Sequence, residues 1–333
     1  MSGVAGSDRQ PPRPPVAPGP TVGARLLSAP VRVRVPATSA NLGPGFDALG
    51  LALTLYDEVT ARVSGDGIRV RVAGEGAGEL PTDQSHLVVR CALTTFDRLG
   101  VRPAGLEVSC VNRIPQARGL GSSSAAIVAG ILAARALVVD GTNALDDAAV
   151  LRLASEIEGH PDNVAPCLLG GATIAWIGPD GAQAVRVEPA QGVHPLIFVP
   201  TERGLTAQAR AALPATVPHL DAARNAGRAA LLVHALTAAP ELLLPATEDW
   251  LHQSYRAPGA PATYALVTGL RAAGIPAVVS GAGPSVLAFA GPGETSITTG
   301  WQLLDLRIDA EGALVEVDLR HAERGPVAAG RAS

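Results

Sequence analysis

Residues 122–138, SSSAAIVAGILAARALV, have the spacing of a helix that is apolar on most of its faces. Such a helix cannot lie on a surface; other elements must enclose it on nearly every side. The stretch before it narrows the choice further. "GLEVSCVNRIP" (105–115) reads as a strand, and "PQARGLGSSSA", Pro115 to Ala125, joins that strand to the buried helix. Glycines let this connection turn freely and come close to a ligand. The N–H groups of the first helical turn point outward with the helix dipole behind them, which makes an anion site. The serines add hydroxyl donors. A plain turn capped by Ser122 would use the same residues. The order strand, Gly/Ser loop, buried helix favours a phosphate loop. It is not a Walker A loop, because no GK[ST] follows, nor a nucleophile elbow, because Gly-x-Ser-x-Gly is absent.

Around this unit, strands and helices alternate. Strands are predicted at 31–35, 53–63 and 68–74, and again at 196–200, 276–281 and 285–291. Helices are predicted at 85–100, 146–159, 205–213, 224–236 and 264–274. The pattern is α+β in two domains, which suits 333 residues. The expected division is a Pro-rich disordered leader over 1–29, an N-terminal domain over 30–190, a C-terminal domain over 191–322 and a flexible tail over 323–333. The boundary is expected in "GPDGAQAVRVEPAQGVHP", around 180–195. Apolar residues are 47% of the chain but aromatics only 3%, so Ala, Val and Leu must fill the core.

Composition also removes function classes. A net charge of −4 argues against a nucleic-acid footprint. No apolar run reaches the ~18–20 residues that a membrane span needs. No apolar segment of a secretory signal precedes the body, so the cytoplasm is the expected compartment. Cys91, Cys110 and Cys167 are scattered and without zinc spacing, which reads as reduced core thiols. All 26 basic side chains are arginine. The absence of lysine excludes a Walker A lysine, a protein-kinase lysine and Schiff-base chemistry. Phosphate must therefore be held by backbone N–H groups, arginine or a metal.

Three further stretches carry polar groups in unusual settings. "VPATSANLGPGFDALGLAL" (35–53) places Asn41 and Asp47 in an otherwise apolar Gly/Pro loop, where an unpartnered carboxylate would cost several kcal/mol. "ASEIEGHPDN" (154–163) offers Glu156, Glu158, His160 and Asp162; Gly159 and Pro161 break the helix and rule out the i,i+4 pairing of a zinc site. His160 reads as a hydrogen-bonded turn histidine. "SGAGPS" (280–285) is a third Gly-rich turn.

Taken in order, "PATSANLGPGFDALGLAL", "GLGSSSA" and "SGAGPS" resemble the three motifs of the galactokinase, homoserine kinase, mevalonate kinase and phosphomevalonate kinase superfamily, and most closely its homoserine kinases. "EGHPDNVAPCLLGG" (158–171) and "HQSYR" (252–256) resemble the same family. The resemblance covers about residues 31–290. It implies a ribosomal-protein-S5-like N-terminal domain and a ferredoxin-like C-terminal domain. It also implies ATP and Mg²⁺ as cofactors, L-homoserine as substrate, transfer of phosphate to its side-chain hydroxyl for threonine synthesis, and a homodimer.

By the same resemblance, Pro115, Arg118, Gly119, Leu120, Gly121, Ser122, Ser123 and Ser124 would hold the nucleotide phosphates. His86, where relatives often carry Asn, would lie on the adenine side. Ser123 and Glu156 would hold the metal, with Glu158 the competing carboxylate. Asn41, Asp47, Asp162, Thr206, Arg210 and Arg256 would hold the substrate, Arg210 and Arg256 gripping its carboxylate. Asp47, Ser123, Glu156 and Arg210 would be the catalytic set; whether Asp47 takes the hydroxyl proton stays open. The alternatives are a kinase of the same superfamily acting on another small alcohol, or a non-catalytic relative that binds an amino acid. The missing lysine weighs against mevalonate as the alcohol.

Overall fold

A computed structural model describes residues 25–204, 206–291, 293 and 300–318. The strands are β1 (Val31–Ala40), β2 (Leu49–Ser64), β3 (Gly67–Gly74), β4 (Gly105–Asn112), β5 (Ala172–Gly178), β6 (Gly181–Val187), β7 (Pro195–Pro200), β8 (Ala277–Val279), β9 (Val286–Phe289), β10 (Trp301–Asp305) and β11 (Leu314–Val317). The helices are α1 (Leu87–Arg98), α2 (Ser122–Leu137), α3 (Gly141–Ala144), α4 (Asp147–Glu158), α5 (Pro161–Leu169), α6 (Thr206–Ala211), α7 (His219–Thr237), α8 (Leu243–Ala246), α9 (Gln253–Arg256) and α10 (Pro261–Ala272).

Two sheets organise them. The first runs β11-β1-β2-β4-β3, with the β5–β6 hairpin paired to β2. It is antiparallel except between β3 and β4, which pair in parallel across the crossover helix α1. The second sheet, β10-β7-β9-β8, is antiparallel throughout. In β1 the alternation of "VRVRV" places Val31, Val33 and Val35 fully inside. Arg32 and Arg34 stand on the other face and pair with Glu58 and Glu311. The apolar helix α2 is enclosed as its sequence requires: Ile127, Val128, Ile131, Leu132 and Leu137 are all buried. Gly130 allows α1 to approach it, since a Cβ there would meet the Val88 carbonyl.

The fold departs from the expected division in three places. Residues 25–29, read as the end of a disordered leader, run beside the end of α2. Leu27 N donates to Leu137 O at 2.8 Å, Val139 N donates to Arg25 O at 2.8 Å, and Ala29 is buried. The ordered body thus begins before Ala29, and residues 1–24 lie outside the described residues. Second, β6 takes up the first part of the stretch read as the domain boundary, and with β5 it belongs to the first sheet. Third, β11 lies within the range assigned to the C-terminal domain, yet it pairs antiparallel with β1, Val33 opposite Val315. It covers the row of backbone groups that β1 would otherwise leave open at the edge. The tail beyond residue 318 lies outside the described residues.

All three cysteines are free and buried. Burial pushes the Cys91 and Cys110 thiols up to about 12, so they are packing groups rather than nucleophiles. No helix among the described residues is long and apolar enough to cross a membrane.

Candidate active site

The three Gly-rich turns meet at one point. Ser280 Oγ donates to Gly119 O at 2.6 Å and lies 2.8 Å from Ser39 Oγ, which joins all three in a single contact. Gly281 N donates to Ala40 O at 3.1 Å, and Thr38 N to Leu120 O at 3.0 Å. Asn41 completes the junction. Its amide Nδ2 donates to Gly281 O at 2.8 Å, and its Oδ1 accepts from Asp47 N at 2.9 Å. Asn41 and Asp47 both have positive φ, 68° and 55°, a conformation that short polar side chains tolerate best. Asn41 therefore folds the loop that presents Asp47.

The junction opens into a cavity lined by the phosphate loop on one side and by Asp47, Asp162, Arg210 and Arg256 on the other. Gly121, with φ of 70°, precedes the first residue of α2, and no side chain caps that helix end. The N–H groups of its first turn lie where the sequence reading expects an anion site. Ser123 Oγ and Ser124 Oγ both donate to Glu158 Oε1, at 2.7 and 2.8 Å. Glu156 is elsewhere: it is more than half exposed and pairs with Arg98 at 2.7 Å. The carboxylate that faces the loop serines is thus Glu158, where Glu156 was expected. The sequence did carry this signal. Glu158 follows Leu151, Ala154 and Ser155 by seven, four and three residues, and so continues the buried face of α4. Glu156 and Glu158 point to different sides of the helix.

Two other expectations are corrected. Arg118 does not face the phosphate cavity. Its Nε donates to Pro200 O at 2.9 Å, Nη1 to Gln116 O at 3.1 Å and Nη2 to Thr201 O at 2.8 Å. It staples the phosphate loop to the end of β7. Pro115 lines the same outer depression as Arg118. Gly119, Leu120, Gly121, Ser122, Ser123 and Thr206 do line the cavity; Ser124 reaches it through Glu158.

Two polar lining side chains had no ligand role in the sequence reading: Asn163, which it did not name, and His160, which it read as a hydrogen-bonded turn histidine. Thr38 Oγ1 donates to Asn163 Oδ1 at 2.8 Å. His160 Nδ1 bonds Asp162 Oδ1; burial lowers the imidazole pKa, but the bond and charge of Asp162 outweigh that, and the net shift is upward. A ligand atom from each of Asp47, His160 and Asp162 lies within 4.8 Å of the others. Arg210 holds Asp47 bidentately, Nη2 to Oδ1 at 2.7 Å and Nη1 to Oδ2 at 3.0 Å.

A second cavity, of about 440 Å³, lies beyond Ser122 and Ser123 and is walled by Val35, Val59 and Leu87. His86 lines it. The residue is only 4% exposed, and neither ring nitrogen has a partner among the described residues. Two unmet polar atoms in the wall of a largely apolar slot leave hydrogen-bonding capacity that a ligand or water can meet. Asp57 shares the wall; burial pushes its carboxyl up to about 6, against the opposing N–H bonds from Ile114 and Arg113.

Residues 86–171, which include the phosphate loop, α2 and the Glu158–Asp162 corner, match the family described as GHMP kinases, N-terminal domain. That is the class of protein this fold and site define. Over 298 residues the chain is 59% identical to the homoserine kinase of Streptomyces avermitilis, covering 88% of this chain and 98% of that one. It is 52% identical over 298 residues to the homoserine kinase of Clavibacter michiganensis, covering 86% and 94%. Among solved structures, the homoserine kinase of Cytophaga hutchinsonii superposes with a TM-score of 0.74 at 27% identity, covering 88% and 99%. The chain belongs to the homoserine kinase family.

The donor set at Glu158 suits a small hard cation: two hydroxyls and a carboxylate oxygen beside a phosphate-binding helix end. Glu158→Gln is expected to raise the Mg²⁺ concentration needed for half-maximal activity and to cut kcat at least tenfold. Glu156→Gln should leave both within about twofold, since its partner is a surface arginine. Mg²⁺ titrations of the two variants check this; the reverse ranking would restore Glu156.

Proposed function

We propose that the protein transfers the γ-phosphoryl group of ATP to the side-chain hydroxyl of L-homoserine, giving O-phospho-L-homoserine for threonine synthesis. The observation that carries this reading is the junction itself. It sets an uncapped helix N-terminus, three carboxylates and a buried arginine around one small cavity.

In this reading the adenine ring occupies the 440 Å³ slot beside His86. The phosphates run across the backbone of Gly119–Ser124 toward Asp47. Ser123 and Glu158 would hold Mg²⁺, which neutralises charge on the phosphates as it develops. Asp47 and Asp162 face the substrate's ammonium and hydroxyl, and Arg256 faces its carboxylate. Arg210 holds both oxygens of Asp47 and so fixes that carboxylate; this differs from the paired-arginine clamp expected from sequence. Phosphoryl transfer needs little covalent help from the protein, so positioning and charge compensation supply most of the rate. The first sheet with its helices corresponds to the S5-like half and the second sheet to the ferredoxin-like half of this family. A coupled ADP-release assay across homoserine, mevalonate, shikimate and galactose tests the assignment. Homoserine should be preferred by at least a hundredfold in kcat/KM; a different preferred alcohol would overturn it.

A further inference from the structure

The motif "HQSYR" contributes more than Arg256. His252 begins the turn leading into α9 and is completely buried. Its two ring nitrogens have different partners. Nδ1 lies 3.2 Å from Arg256 Nη1, and Nε2 lies 2.8 Å from the Gly43 carbonyl. A guanidinium can only donate, so Nδ1 must accept, and the proton must sit on Nε2 and be donated to Gly43 O. The ring is therefore neutral, in one tautomer, with both nitrogens used. Burial, the largest influence on this group, also lowers its pKa. A proton on Nδ1 would set N–H against N–H.

The neighbours show what the bridge holds in place. Gly43 belongs to the loop that carries Asp47. Phe46, on the same loop, has its ring centroid 5.1 Å from the His252 ring. The guanidinium carbons of Arg256 and Arg210 stand 5.3 and 5.7 Å from that Phe46 centroid. One aromatic ring thus serves two like charges, which its quadrupole helps to hold in place. Asp249 anchors the turn from below, accepting from the backbone N–H groups of Leu251, His252 and Gln253. Arg256 also donates to Ala209 O at 3.1 Å and Gly281 O at 3.4 Å. All its hydrogen-bond acceptors named here are neutral, and His252 is the one side chain among them; the charges of Asp47, Asp249 and Asp162 act on it without such a bond.

We propose that His252 is a positioning residue for substrate recognition: it ties Arg256 to the Asp47 loop through Gly43, and so fixes the distance between the group that meets the substrate carboxylate and the group that meets its ammonium and hydroxyl. This rests on the reading of Arg256 as the carboxylate receptor. Homoserine spans both groups, so a slack bridge weakens its binding while ATP, held by the phosphate loop, is untouched. His252 touches no substrate atom in this arrangement.

The test uses His252→Leu, His252→Asn and His252→Gln in the full chain, with Arg256→Ala run beside them. Circular dichroism checks folding, and steady-state kinetics follow homoserine and ATP separately. His252→Leu removes both bonds and should raise the homoserine KM about tenfold or more, with the ATP KM within twofold. His252→Asn places an acceptor near the Nδ1 position and should recover most of that loss. His252→Gln reaches the Gly43 carbonyl but offers no acceptor at Nδ1, and should recover less. If the Leu variant fails to fold, the Asn and Gln pair decides, and Gln equal to or better than Asn overturns the proposal. An equal loss in homoserine and ATP parameters also overturns it, since a merely structural residue behaves that way. If Arg256→Ala leaves the homoserine KM unchanged, the carboxylate reading fails, and this proposal with it. If Arg256→Ala is impaired while a folded His252→Leu is not, the positioning proposal alone fails.

Discussion

Gly119→Ala is expected to cost about 3 kcal/mol of stability and to remove nearly all kinase activity. Two separate costs add. Gly119 has a φ of 73°, in the left-handed region, where a side chain costs roughly 1–2 kcal/mol. A Cβ there would also collide with the Ser280 carbonyl oxygen and would lie 3.0 Å from Gly283 O and 3.1 Å from Gly283 N. These are backbone atoms of the third Gly-rich turn, so no rotamer change relieves the clash, and overpacking of this kind costs about 1–3 kcal/mol. Relief requires the second and third turns to separate. That breaks the Ser280–Gly119 bond and moves the phosphate loop away from Asn41 and Asp47. Gly78→Ala is the control: its φ is 80°, but nothing lies within 4 Å of the added carbon, so only the strain remains. Gly121→Val falls between the two for stability, because the atoms in its way are side chains, chiefly Thr38 Oγ1, and Thr38 would lose Asn163. It should still abolish ATP binding by crowding the phosphates. Denaturant melts and ADP release for the three variants check this order. A Gly119→Ala protein as stable and active as Gly78→Ala would refute it.

What could be read from sequence, and what could not, follows from the range of the interactions. Helix α2, the alternating strand β1 and the Gly/Ser loop are specified by neighbours within a few residues, and their spacing showed them. The absence of lysine likewise showed that backbone groups, arginine or a metal must handle phosphate. The β5–β6 hairpin was misread because its turn, Gly178–Gly181, contains the Gly, Pro and Asp of a linker; only pairing with β2, more than a hundred residues earlier, makes its flanks strands. Strand β11 is four residues long and has no signal apart from the open edge of β1 that it covers. The roles of Arg118 and Arg210 were also invisible. Whether an arginine meets phosphate, carbonyls or an aspartate depends on what the second sheet brings to it. Glu158 was legible in the helical face of α4, but an alignment by motif spacing pointed to its neighbour.

Arg256→Ala is expected to erase most of the discrimination between homoserine and its decarboxylated analogue, 3-aminopropanol. Arg256 is only 7% exposed, and its hydrogen-bond partners are the Ala209 and Gly281 carbonyls and the His252 ring. Burial and the charge of Arg210 both lower its pKa, so the folded protein is carrying a cation at some cost. Arg210 differs, since Asp47 already satisfies it and raises its pKa. In the proposed reading this buried cation, whose hydrogen-bond partners are neutral, receives the α-carboxylate, the group that separates homoserine from a simple amino alcohol. Removing one side of such a desolvated contact costs on the order of 2–4 kcal/mol, equivalent to roughly 30- to 1000-fold in kcat/KM. An exposed pair would give ~0.2–1 kcal/mol. The ATP KM should change little. Arg256→Lys keeps the charge but cannot span the same acceptors with a planar fork, so it should recover only a small part of the loss. Stability supplies an independent check. Because the charge is costly in the absence of substrate, Arg256→Ala should melt no lower than the parent by more than the packing lost with the side chain, whereas homoserine should no longer raise its melting temperature. A folded Arg256→Ala protein that still prefers homoserine over 3-aminopropanol as strongly as the parent would remove Arg256 from the carboxylate site and leave Arg210, released from Asp47, as the group to test next.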